Sequence, residues 1–274
     1  MLKPHHSDRR ASLLQDPAYE SIPATSPAEA DVADLLPIGA APADAERVRD
    51  AVPLWFHTFQ LSPGVYTPGI ARDHRYRVPA LGPERFAGRS VLDIGTFDGF
   101  YAYLAESLGA RRVVGVDNEQ YVEWIRGRFD LELEPAAGFR AIAELLGSQV
   151  VYERMDALEV GRLGERFDVV LCFGMLHRVH DPVGMLRALA AVLEPGGELV
   201  LETYGSRLDP GAGALEVREL GDVYGGDEFT YWGFPAEGLR RIGQMAGLDE
   251  IQVIDEVEVD GHPRIIAVLR RSAP

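Results

Sequence analysis

The sequence predicts an α/β protein built on a doubly wound, mostly parallel sheet that ends in an antiparallel hairpin. From Val91 onward, short apolar runs alternate with stretches of helical periodicity. That alternation is typical of parallel strands joined by helical crossovers, with both faces of the sheet covered. Near the C-terminus the pattern changes, and "IQVIDEVEV", "DGH" and "RIIAVLRR" indicate two strands around a tight turn.

The individual elements follow from the spacing of apolar residues. Strands are predicted at Val91–Ile94, Val113–Asp117, Val150–Arg154, Phe167–Phe173 and Glu198–Glu202. Helices are predicted at Tyr101–Leu108, Phe139–Leu146, Pro182–Leu193 and Ala236–Ala246. An earlier helix over Ala43–Phe59 is expected to be interrupted near Pro53, because proline has no backbone N–H to donate.

The chain is predicted to have three parts. Residues 1–42 are rich in Pro, Ala, Ser and Asp, which predicts a flexible arm whose few apolar residues dock on the domain or on a neighbouring subunit of a homo-oligomer. Those apolar residues are Leu35, Leu36 and Ile38. Residues 43–90 form a helix and an aromatic cap segment, and residues 91–274 form the main domain, with an insertion or lid over 204–235.

The composition limits the partners and the location. The 274 residues carry a formal net charge of −16, so most of the surface is expected to repel nucleic acid. Cys172 is the single cysteine, which excludes an intrachain disulfide and a cysteine metal cluster, and Lys3 is the single lysine. No apolar run approaches the roughly 20 residues of a membrane span, and no signal-peptide core follows "MLKPHHSDRR", so a cytoplasmic protein is expected.

The first strand leads into a glycine loop, "VLDIGTFDGF". Gly95 and Gly99 supply a tight turn, but the loop lacks both the G-x-G-x-x-G pattern and the GK[ST] ending of loops that bind phosphate. Asp93 either orients this loop or binds an ammonium group through water, and its alternative role is to cap the turn. Phe97 either shapes a ligand pocket or fills the core.

Acidic residues also end the next two strands. Asp117 lies 22 residues after Gly95, close to the spacing at which an acid accepts from ribose hydroxyls. Asp156 follows the third strand, where it can accept from the amine of adenine. A site for ribose, adenine and an ammonium group, without a loop for phosphate, predicts S-adenosylmethionine as the cofactor. S-adenosylhomocysteine would then be the product. The expected cofactor residues are Asp93, Gly95, Thr96, Phe97, Asp98, Gly99, Asp117, Asn118, Met155, Asp156, Ala157 and Phe173.

Residues 91–202 resemble the class I S-adenosylmethionine-dependent methyltransferases. The segments "VLDIGTFDGF", "GVDN", "MDALE", "GMLHRVHDP" and "LEPGGELVLET" occur in the order of that family. From about Trp55 to the C-terminus the chain is similar to the tRNA wobble-uridine carboxymethyltransferase family, through "WFHTFQL", "GVYTPG" and "LVLETY". The resemblance implies a Rossmann-like sheet of seven strands and a catalytic domain over residues 91–274.

The chain departs from the tRNA-modifying family in one respect that concerns the methyl donor. That family uses a lysine ahead of the glycine loop to bind the extra carboxylate of carboxy-S-adenosylmethionine. The matching stretch, Phe56–Leu61, has no lysine, although Arg72, Arg75 or Arg264 could replace it. We therefore expect ordinary S-adenosylmethionine and a small-molecule acceptor of specialised metabolism. The alternatives are a tRNA carboxymethyltransferase and a non-catalytic module that kept the fold.

The acceptor is expected between the fourth strand and the aromatic segments. His177, His180 and His57 are the candidates for a general base or for orienting the acceptor, since the pKa of histidine lies near neutrality. Their alternative role is to shape the pocket or to bond the backbone. The aromatic segments are interpreted as a lid, with plain packing as the alternative. The side chains expected to line the acceptor pocket are Trp55, Phe56, Tyr66, Arg75, Tyr204, Phe229, Tyr231 and Trp232, and no metal is expected.

Overall fold

A seven-stranded sheet lies at the centre of the computed structural model, which describes residues 35–69, 75–130, 132–211, 213–219, 228–259 and 261–271. The strands are β1 (Gln60–Ser62), β2 (Val65–Tyr66), β3 (Ser90–Ile94), β4 (Arg112–Asp117), β5 (Val151–Arg154), β6 (Phe167–Phe173), β7 (Leu193–Tyr204), β8 (Glu216–Val217), β9 (Trp232–Gly233), β10 (Glu250–Val259) and β11 (His262–Arg270). The α-helices are α1 (Pro42–Ala51), α2 (Phe100–Ser107), α3 (Gln120–Phe129), α4 (Ala137–Leu146), α5 (Pro182–Ala191) and α6 (Ala236–Met245). Short 3₁₀ helices cover Arg75–Ala80, Pro83–Arg85, Ala157–Leu163 and Leu176–Arg178.

The strands of the large sheet lie in the order β10, β11, β7, β6, β3, β4, β5. β3 pairs in parallel with β4 on one side and with β6 on the other, and β5 and β7 continue the parallel arrangement outward. β11 runs antiparallel to both β7 and β10. The predicted doubly wound, mostly parallel sheet with a C-terminal antiparallel hairpin is therefore confirmed. The direction of winding reverses between β3 and β6, and the carboxyl ends of these strands border the expected ligand crevice.

Apolar side chains cover both faces of the sheet, as burial of a parallel sheet requires. Val91 and Val113 belong to the core on one face, together with the aromatic side chains of α2 and α4. Their chain neighbours Leu92 and Val114 belong to the core on the other face, with the apolar side chains of α5 and α6. Among the described helices, none is both long enough and apolar enough to cross a membrane.

The N-terminal elements differ in part from the prediction. Helix α1 ends at Ala51 rather than at Phe59, because Pro53 follows and the chain is already extended at Val52. Leu36 is 1% exposed, and the Ala40 N–H donates to the Leu61 carbonyl at 2.9 Å, so the end of the predicted arm packs on the domain. The rest of that arm, residues 1–34, lies outside the described residues.

Cys172 lies near the carboxyl end of β6, in the middle of the sheet. It is paired with Ile94 of β3 on one side and with Leu201 of β7 on the other. Its side chain is fully buried, and burial raises the pKa of the thiol. This position is typical of a free cysteine, which packs in a core as a small apolar side chain.

A buried ion cluster connects the cap to the sheet. The Glu202 carboxylate, at 0% exposure in β7, accepts from Arg77 Nε at 3.0 Å and Arg77 Nη2 at 2.6 Å. Its other oxygen accepts from Arg264 Nε of β11 at 2.5 Å. Arg77 Nη1 also donates to the Tyr101 hydroxyl of α2 at 2.6 Å. The two guanidinium groups lower the pKa of Glu202, although burial alone would raise it. We call Arg77, Glu202 and Arg264 the arginine cluster.

Replacement of Glu202 by Gln is expected to destabilise the protein by about 3 kcal/mol or more, because it leaves two buried guanidinium groups without their counter-charge. Urea unfolding at pH 7 measures the change. Glu165→Gln is the matched control, since Glu165 forms a two-point ion pair with Arg112 at the surface. Surface pairs contribute within about 1 kcal/mol. Equal losses of unfolding free energy in the two variants would contradict the role assigned to the cluster.

Candidate active site

The glycine loop between β3 and α2 has the backbone that its sequence requires. Gly95 and Gly99 have φ values of 71° and 85°. A Cβ atom at Gly95 would lie 2.4 Å from the sulfur of Met175, so both conformation and space demand glycine there. Thr96, 1% exposed, packs against Gly115 of β4. Phe97, with φ 47°, is one of the few described non-glycine residues in the left-handed region.

Asp117, at the end of β4, accepts a backbone hydrogen bond on each carboxylate oxygen. Oδ1 accepts from the Glu119 N–H at 2.6 Å, and Oδ2 accepts from the Phe97 N–H at 3.1 Å. Each oxygen retains a second lone pair. Burial raises the pKa of Asp117 to about 6, and the two backbone bonds oppose that shift. Two adjacent acceptors at this strand end fit the paired hydroxyls of a ribose.

Asp93 is the more deeply buried acid, at 2% exposure. Its Oδ2 has no hydrogen-bond partner in the protein. Burial raises the pKa of Asp93 to about 7, and the nearby charge of Asp117 acts in the same direction. A buried carboxylate oxygen without a partner is unfavourable, and the ammonium group of an amino acid would satisfy it.

The end of β5 supplies the third acid. Asp156 Oδ1 accepts from the Leu158 N–H at 2.9 Å, and Oδ2 accepts from Asn118 Nδ2 at 3.0 Å. The carboxylate therefore caps a 3₁₀ helix and joins the ends of β4 and β5, with lone pairs left for an adenine amine. Met155 and Ala157 flank it, and the Met155 N–H donates to the Asp117 carbonyl at 2.9 Å.

These residues fit the predicted cofactor. Donors and acceptors for ribose, adenine and ammonium lie at the carboxyl ends of β3, β4 and β5, while Phe173 ends β6 beside them. The Phe173 ring contacts the ring of Tyr101, with 4.7 Å between the centroids. S-adenosylmethionine requires these three kinds of contact and needs no phosphate cradle. The glycine loop offers no phosphate-binding pattern, in agreement with this fit.

Asp98 makes a contact with the cap that the sequence did not predict. Its Oδ2 accepts from the backbone N–H groups of Phe56 at 2.5 Å and His57 at 2.9 Å, and the side chain is 2% exposed. Burial raises the pKa of this carboxyl to about 7, while the two backbone bonds act to lower it. The carboxylate is directed to the cap because the buried backbone of residues 56 and 57 needs an acceptor. Asp98 therefore joins the glycine loop to the cap through one carboxylate oxygen.

The predicted role of Trp55 in lining an acceptor pocket is contradicted by its burial. It is completely buried in the core, and its Nε1 donates to the Arg49 carbonyl at 3.0 Å, so it does not line an acceptor pocket. The Tyr66 hydroxyl accepts from Gln60 Nε2 at 2.6 Å within the β1–β2 hairpin of the cap. Arg75 begins a 3₁₀ helix, but its side chain and Arg72 lie outside the described part of the chain.

His177 is fully buried and forms hydrogen bonds with the end of β7 and with the insertion. Its Nδ1 accepts from the Tyr204 N–H at 3.2 Å and lies 3.0 Å from Thr203 Oγ1. Its carbonyl accepts from the Tyr231 N–H at 2.9 Å. Burial lowers the pKa of His177 well below its usual range, and Arg264 lowers it further. The ring is therefore neutral with the proton on Nε2, which has no protein partner and favours a donor rather than a base.

The other two histidines lie in different surroundings. His57 is 4% exposed, and its ring lies among aromatic side chains, 5.0 Å from the Phe56 centroid and 5.7 Å from that of Tyr101. His180 stacks on Tyr231 with 4.3 Å between ring centroids. The surroundings of His57 are typical of a core residue, whereas His180 lies beside the insertion.

Five aromatic side chains connect the cap, the glycine loop, α3 and the insertion. Phe56 lies 4.9 Å from Phe97, and Tyr121 stacks on Trp124 with centroids 5.6 Å apart. Phe229 lies 6.1 Å from Tyr121 and 5.8 Å from Trp124. We call these five residues the aromatic clasp. Tyr121 and Trp124 were not predicted, because the mixed sequence of α3 gave no helical signal.

The rest of the insertion packs on the segment after β6. Trp232 Nε1 donates to the Val179 carbonyl at 2.9 Å. The Tyr204 hydroxyl lies 3.3 Å from His262 Nδ1, and the Arg218 guanidinium lies 5.5 Å from the Tyr204 ring. The described part of the predicted lid therefore rests on His177 and its neighbours, with Tyr231 and Trp232 at that contact.

Comparison with known proteins decides the family. A family model described as a methyltransferase domain matches residues 70–253, well over half of the chain. The chain belongs to the methyltransferase domain family. The predicted family and its cofactor, S-adenosylmethionine, are thereby confirmed for this domain.

Curated relatives of this methyltransferase domain differ in their acceptors. The chain is 33% identical to the tRNA U34 carboxymethyltransferase of Campylobacter hominis, over 42% of this chain and 36% of that protein. It is 27% identical to the protein of the same name from a Sulfurovum species, over 63% and 52%. It is 31% identical to the ubiquinone biosynthesis O-methyltransferase of Aeromonas salmonicida, over 59% and 63%. The chain thus spans between about a third and two thirds of the length of these relatives.

Solved structures share the fold of the methyltransferase domain. The N-terminal domain of EvdMO1, with SAH bound, superposes with a TM-score of 0.59 at 20% identity, over 86% of this chain and 99% of that chain. The 1,6-didemethyltoxoflavin-N1-methyltransferase of Burkholderia thailandensis gives 0.51 at 23% identity, over 72% and 77%. At these identities the similarity is one of fold.

The arginine cluster borders the site of this methyltransferase domain. Gly174 follows β6, and a Cβ atom there would lie 4.0 Å from Nη2 of Arg77 and of Arg264. Two guanidinium groups and one carboxylate give the cluster a surplus positive charge. Arg77 was not predicted as a site residue, because its partner Glu202 lies 125 residues away in the sequence.

The raised pKa values of Asp93 and Asp117 predict that S-adenosylhomocysteine binds more tightly as the pH rises. Only the ionised Asp93 pairs with the ligand's ammonium group, and roughly a tenth of a group with pKa near 7 is ionised at pH 6 but most of it at pH 8. Affinity measured by titration calorimetry should rise roughly tenfold between these values. Asp93→Asn should bind more weakly, with little pH dependence. An unchanged wild-type affinity would contradict the role of Asp93.

The raised pKa values of Asp93 and Asp117 also determine whether the folded protein gains or loses stability as the pH rises. Both carboxyl groups have folded pKa values above those of an unfolded chain, so the folded state binds more protons between about pH 4 and pH 7. These two groups therefore make the ligand-free protein less stable as the pH rises through that window. Because the ionised forms bind the ligand, the rise in melting temperature on adding S-adenosylhomocysteine should grow over the same window.

Proposed function

We propose that the protein is an S-adenosylmethionine-dependent methyltransferase that methylates a small molecule by in-line displacement. The arrangement of Asp93 and Asp117 at adjacent strand ends is the observation that supports this proposal most directly. The net charge of −16 favours a small acceptor over a polyanion. The burial of His177 and the aromatic side chains of the clasp also suit a small acceptor, because small-molecule sites are lined mainly by apolar and aromatic side chains with a few polar groups.

When bound, the cofactor supplies a methyl group on a sulfonium, which needs little further activation. The contribution of the chain is therefore chiefly to hold two reactants in line, an effect that can supply roughly 7–11 kcal/mol. Asp93 and Asp117 hold the donor by its ammonium and hydroxyl groups. The neutral His177 offers its Nε2 proton to orient an acceptor oxygen or nitrogen, since its Nδ1 is occupied by the Tyr204 N–H.

A second candidate function is transfer of a carboxymethyl group to tRNA from carboxy-S-adenosylmethionine. The surplus positive charge of the arginine cluster beside Gly174 is the observation that favours it. Arg264, rather than a lysine, would then meet the additional carboxylate. The names of the tRNA-modifying relatives point the same way. The acidic composition opposes a tRNA substrate, so the small-molecule acceptor remains our conclusion.

Asp117→Ala tests the donor site. Loss of two hydrogen bonds to an ionised acceptor, each about 1.5 kcal/mol, should weaken S-adenosylhomocysteine binding by roughly 100-fold. Titration calorimetry measures the loss, and Glu123→Ala, which removes an exposed partner of Arg154, is the control. Wild-type protein that fails to bind S-adenosylhomocysteine would overturn the proposed function. Methyl transfer from labelled S-adenosylmethionine to a metabolite panel, with bulk tRNA in parallel, then identifies the acceptor class.

Donor preference separates the two candidates. For an ordinary methyltransferase, we expect S-adenosylmethionine and carboxy-S-adenosylmethionine to bind within about threefold of each other, or the former to bind better. The second candidate requires a preference of roughly tenfold or more for the carboxylated donor, the size of one charge-assisted hydrogen bond. Arg264→Met should remove that preference if it exists, whereas Arg207→Met, at the surface near Glu258, should not.

A further inference from the structure

Two consecutive residues of the glycine loop, Phe97 and Asp98, contact the candidate cofactor site and the cap. The Phe97 N–H donates to Asp117 Oδ2, the acid assigned to the ribose, at 3.1 Å. The next side chain, Asp98, accepts from the N–H groups of Phe56 and His57 in the cap. The Phe97 ring also lies 4.9 Å from that of Phe56. The backbone that meets the cofactor is thus continuous with the contact that holds the cap.

The carboxylate of Asp98 is tightly enclosed. It is 2% exposed, and a Cβ atom at Gly138 of α4 would lie 2.4 Å from its Oδ1. Little room therefore remains for the carboxylate to change its position independently of α4 and the cap. The preceding residue, Phe97, has a left-handed backbone, φ 47°, and its N–H is held by Asp117. A change in position of the loop would accordingly be transmitted to the cap residues that Asp98 contacts.

Beyond this contact, the cap is held together by its own hydrogen bonds. The Thr67 hydroxyl donates to the His57 carbonyl at 2.8 Å and accepts from the Phe59 N–H at 2.8 Å. The Thr67 N–H also donates to the Phe59 carbonyl at 2.9 Å. The segment from Phe56 to Thr67 is therefore cross-linked on itself, while Asp98 joins it to the glycine loop.

We propose that Asp98 is a positioning residue that couples the cofactor site to the cap, so that donor binding orders the cap against the acceptor side. This inference rests on the proposed function, because it assumes a donor at Asp117. Ribose hydroxyls that share Asp117 with the Phe97 N–H fix the loop, and Asp98 passes that constraint to Phe56 and His57. Because the aromatic clasp includes Phe56, a bound donor then favours binding of the acceptor.

Hydrogen exchange of the Phe56 and His57 amides tests the coupling in the full chain. Saturating S-adenosylhomocysteine should slow their exchange by roughly tenfold, a coupling within the usual range for linked sites. In Asp98→Ala the amides should exchange rapidly and no longer respond to the ligand. Because coupling between two equilibria is reciprocal, the affinity for S-adenosylhomocysteine should fall by the same factor as the protection that is lost.

Two further variants keep the test decisive. Asp98→Asn has nearly the same shape and keeps an acceptor oxygen, so it should restore part of the protection even if Asp98→Ala folds poorly. Asp181→Ala is the matched control, because Asp181 also accepts a backbone N–H, that of Gly184 at 2.7 Å, but caps helix α5 instead of contacting the cap segment. It should leave both the cap exchange and the ligand affinity unchanged.

A purely structural role for Asp98 gives a different result. Exchange in Asp98→Ala would then rise equally with and without the ligand, and its affinity for S-adenosylhomocysteine would stay within about twofold of wild type, which overturns the proposal. Wild-type cap amides that ignore a bound ligand would overturn it as well. Failure of the wild type to bind S-adenosylhomocysteine, measured by calorimetry, instead contradicts the proposed function itself, so the two failures are distinguishable.

Discussion

The buried carboxylate of Glu202 joins parts of the chain that no continuous stretch of sequence connects. Arg77 reaches it from the 3₁₀ helix of the cap, and Arg264 reaches it from the terminal hairpin. β7, which carries Glu202, also supplies Thr203 and Tyr204 to the Nδ1 side of His177. The cap, the antiparallel edge of the sheet and the surroundings of His177 are therefore connected through the strand that carries this single buried charge.

The ends of β3 and β4 and the glycine loop carry carboxylates in poorly solvated positions. Asp93, Asp98 and Asp117 all have raised pKa values because burial disfavours their charge. Their remaining contacts differ: Asp117 and Asp98 are satisfied by backbone N–H groups, while Asp93 keeps an oxygen without a protein partner. The same kind of residue is thus satisfied by the backbone at two positions and keeps an unpartnered oxygen at the third, where we propose that an ammonium group binds.

The sequence was sufficient to predict the sheet and the acids at the ends of its strands, because both depend on local signals. Asp93 and Asp117 are recognisable since each ends a predicted buried strand and the spacing of the loop is characteristic. The contact of Asp98 with the cap was not predicted, because it depends on the Phe56 backbone, 42 residues earlier, folding onto the loop. Arg77 was missed for the same reason, because a contact with a residue 125 positions later leaves no periodic pattern in the sequence. Long-range polar contacts, rather than apolar patterning, separate the prediction from the structure.

The position of Cys172 gives the protein a reporter of its own motion. Cys172 is the single cysteine in the chain, and its thiol is buried in the core that α5 and α6 form on one face of the sheet. A thiol reagent reaches it only after this core opens, and burial keeps the group in its unreactive protonated form until then. The rate of its chemical labelling therefore measures how often the core beneath α5 and α6 opens, with no foreign probe inserted into the fold.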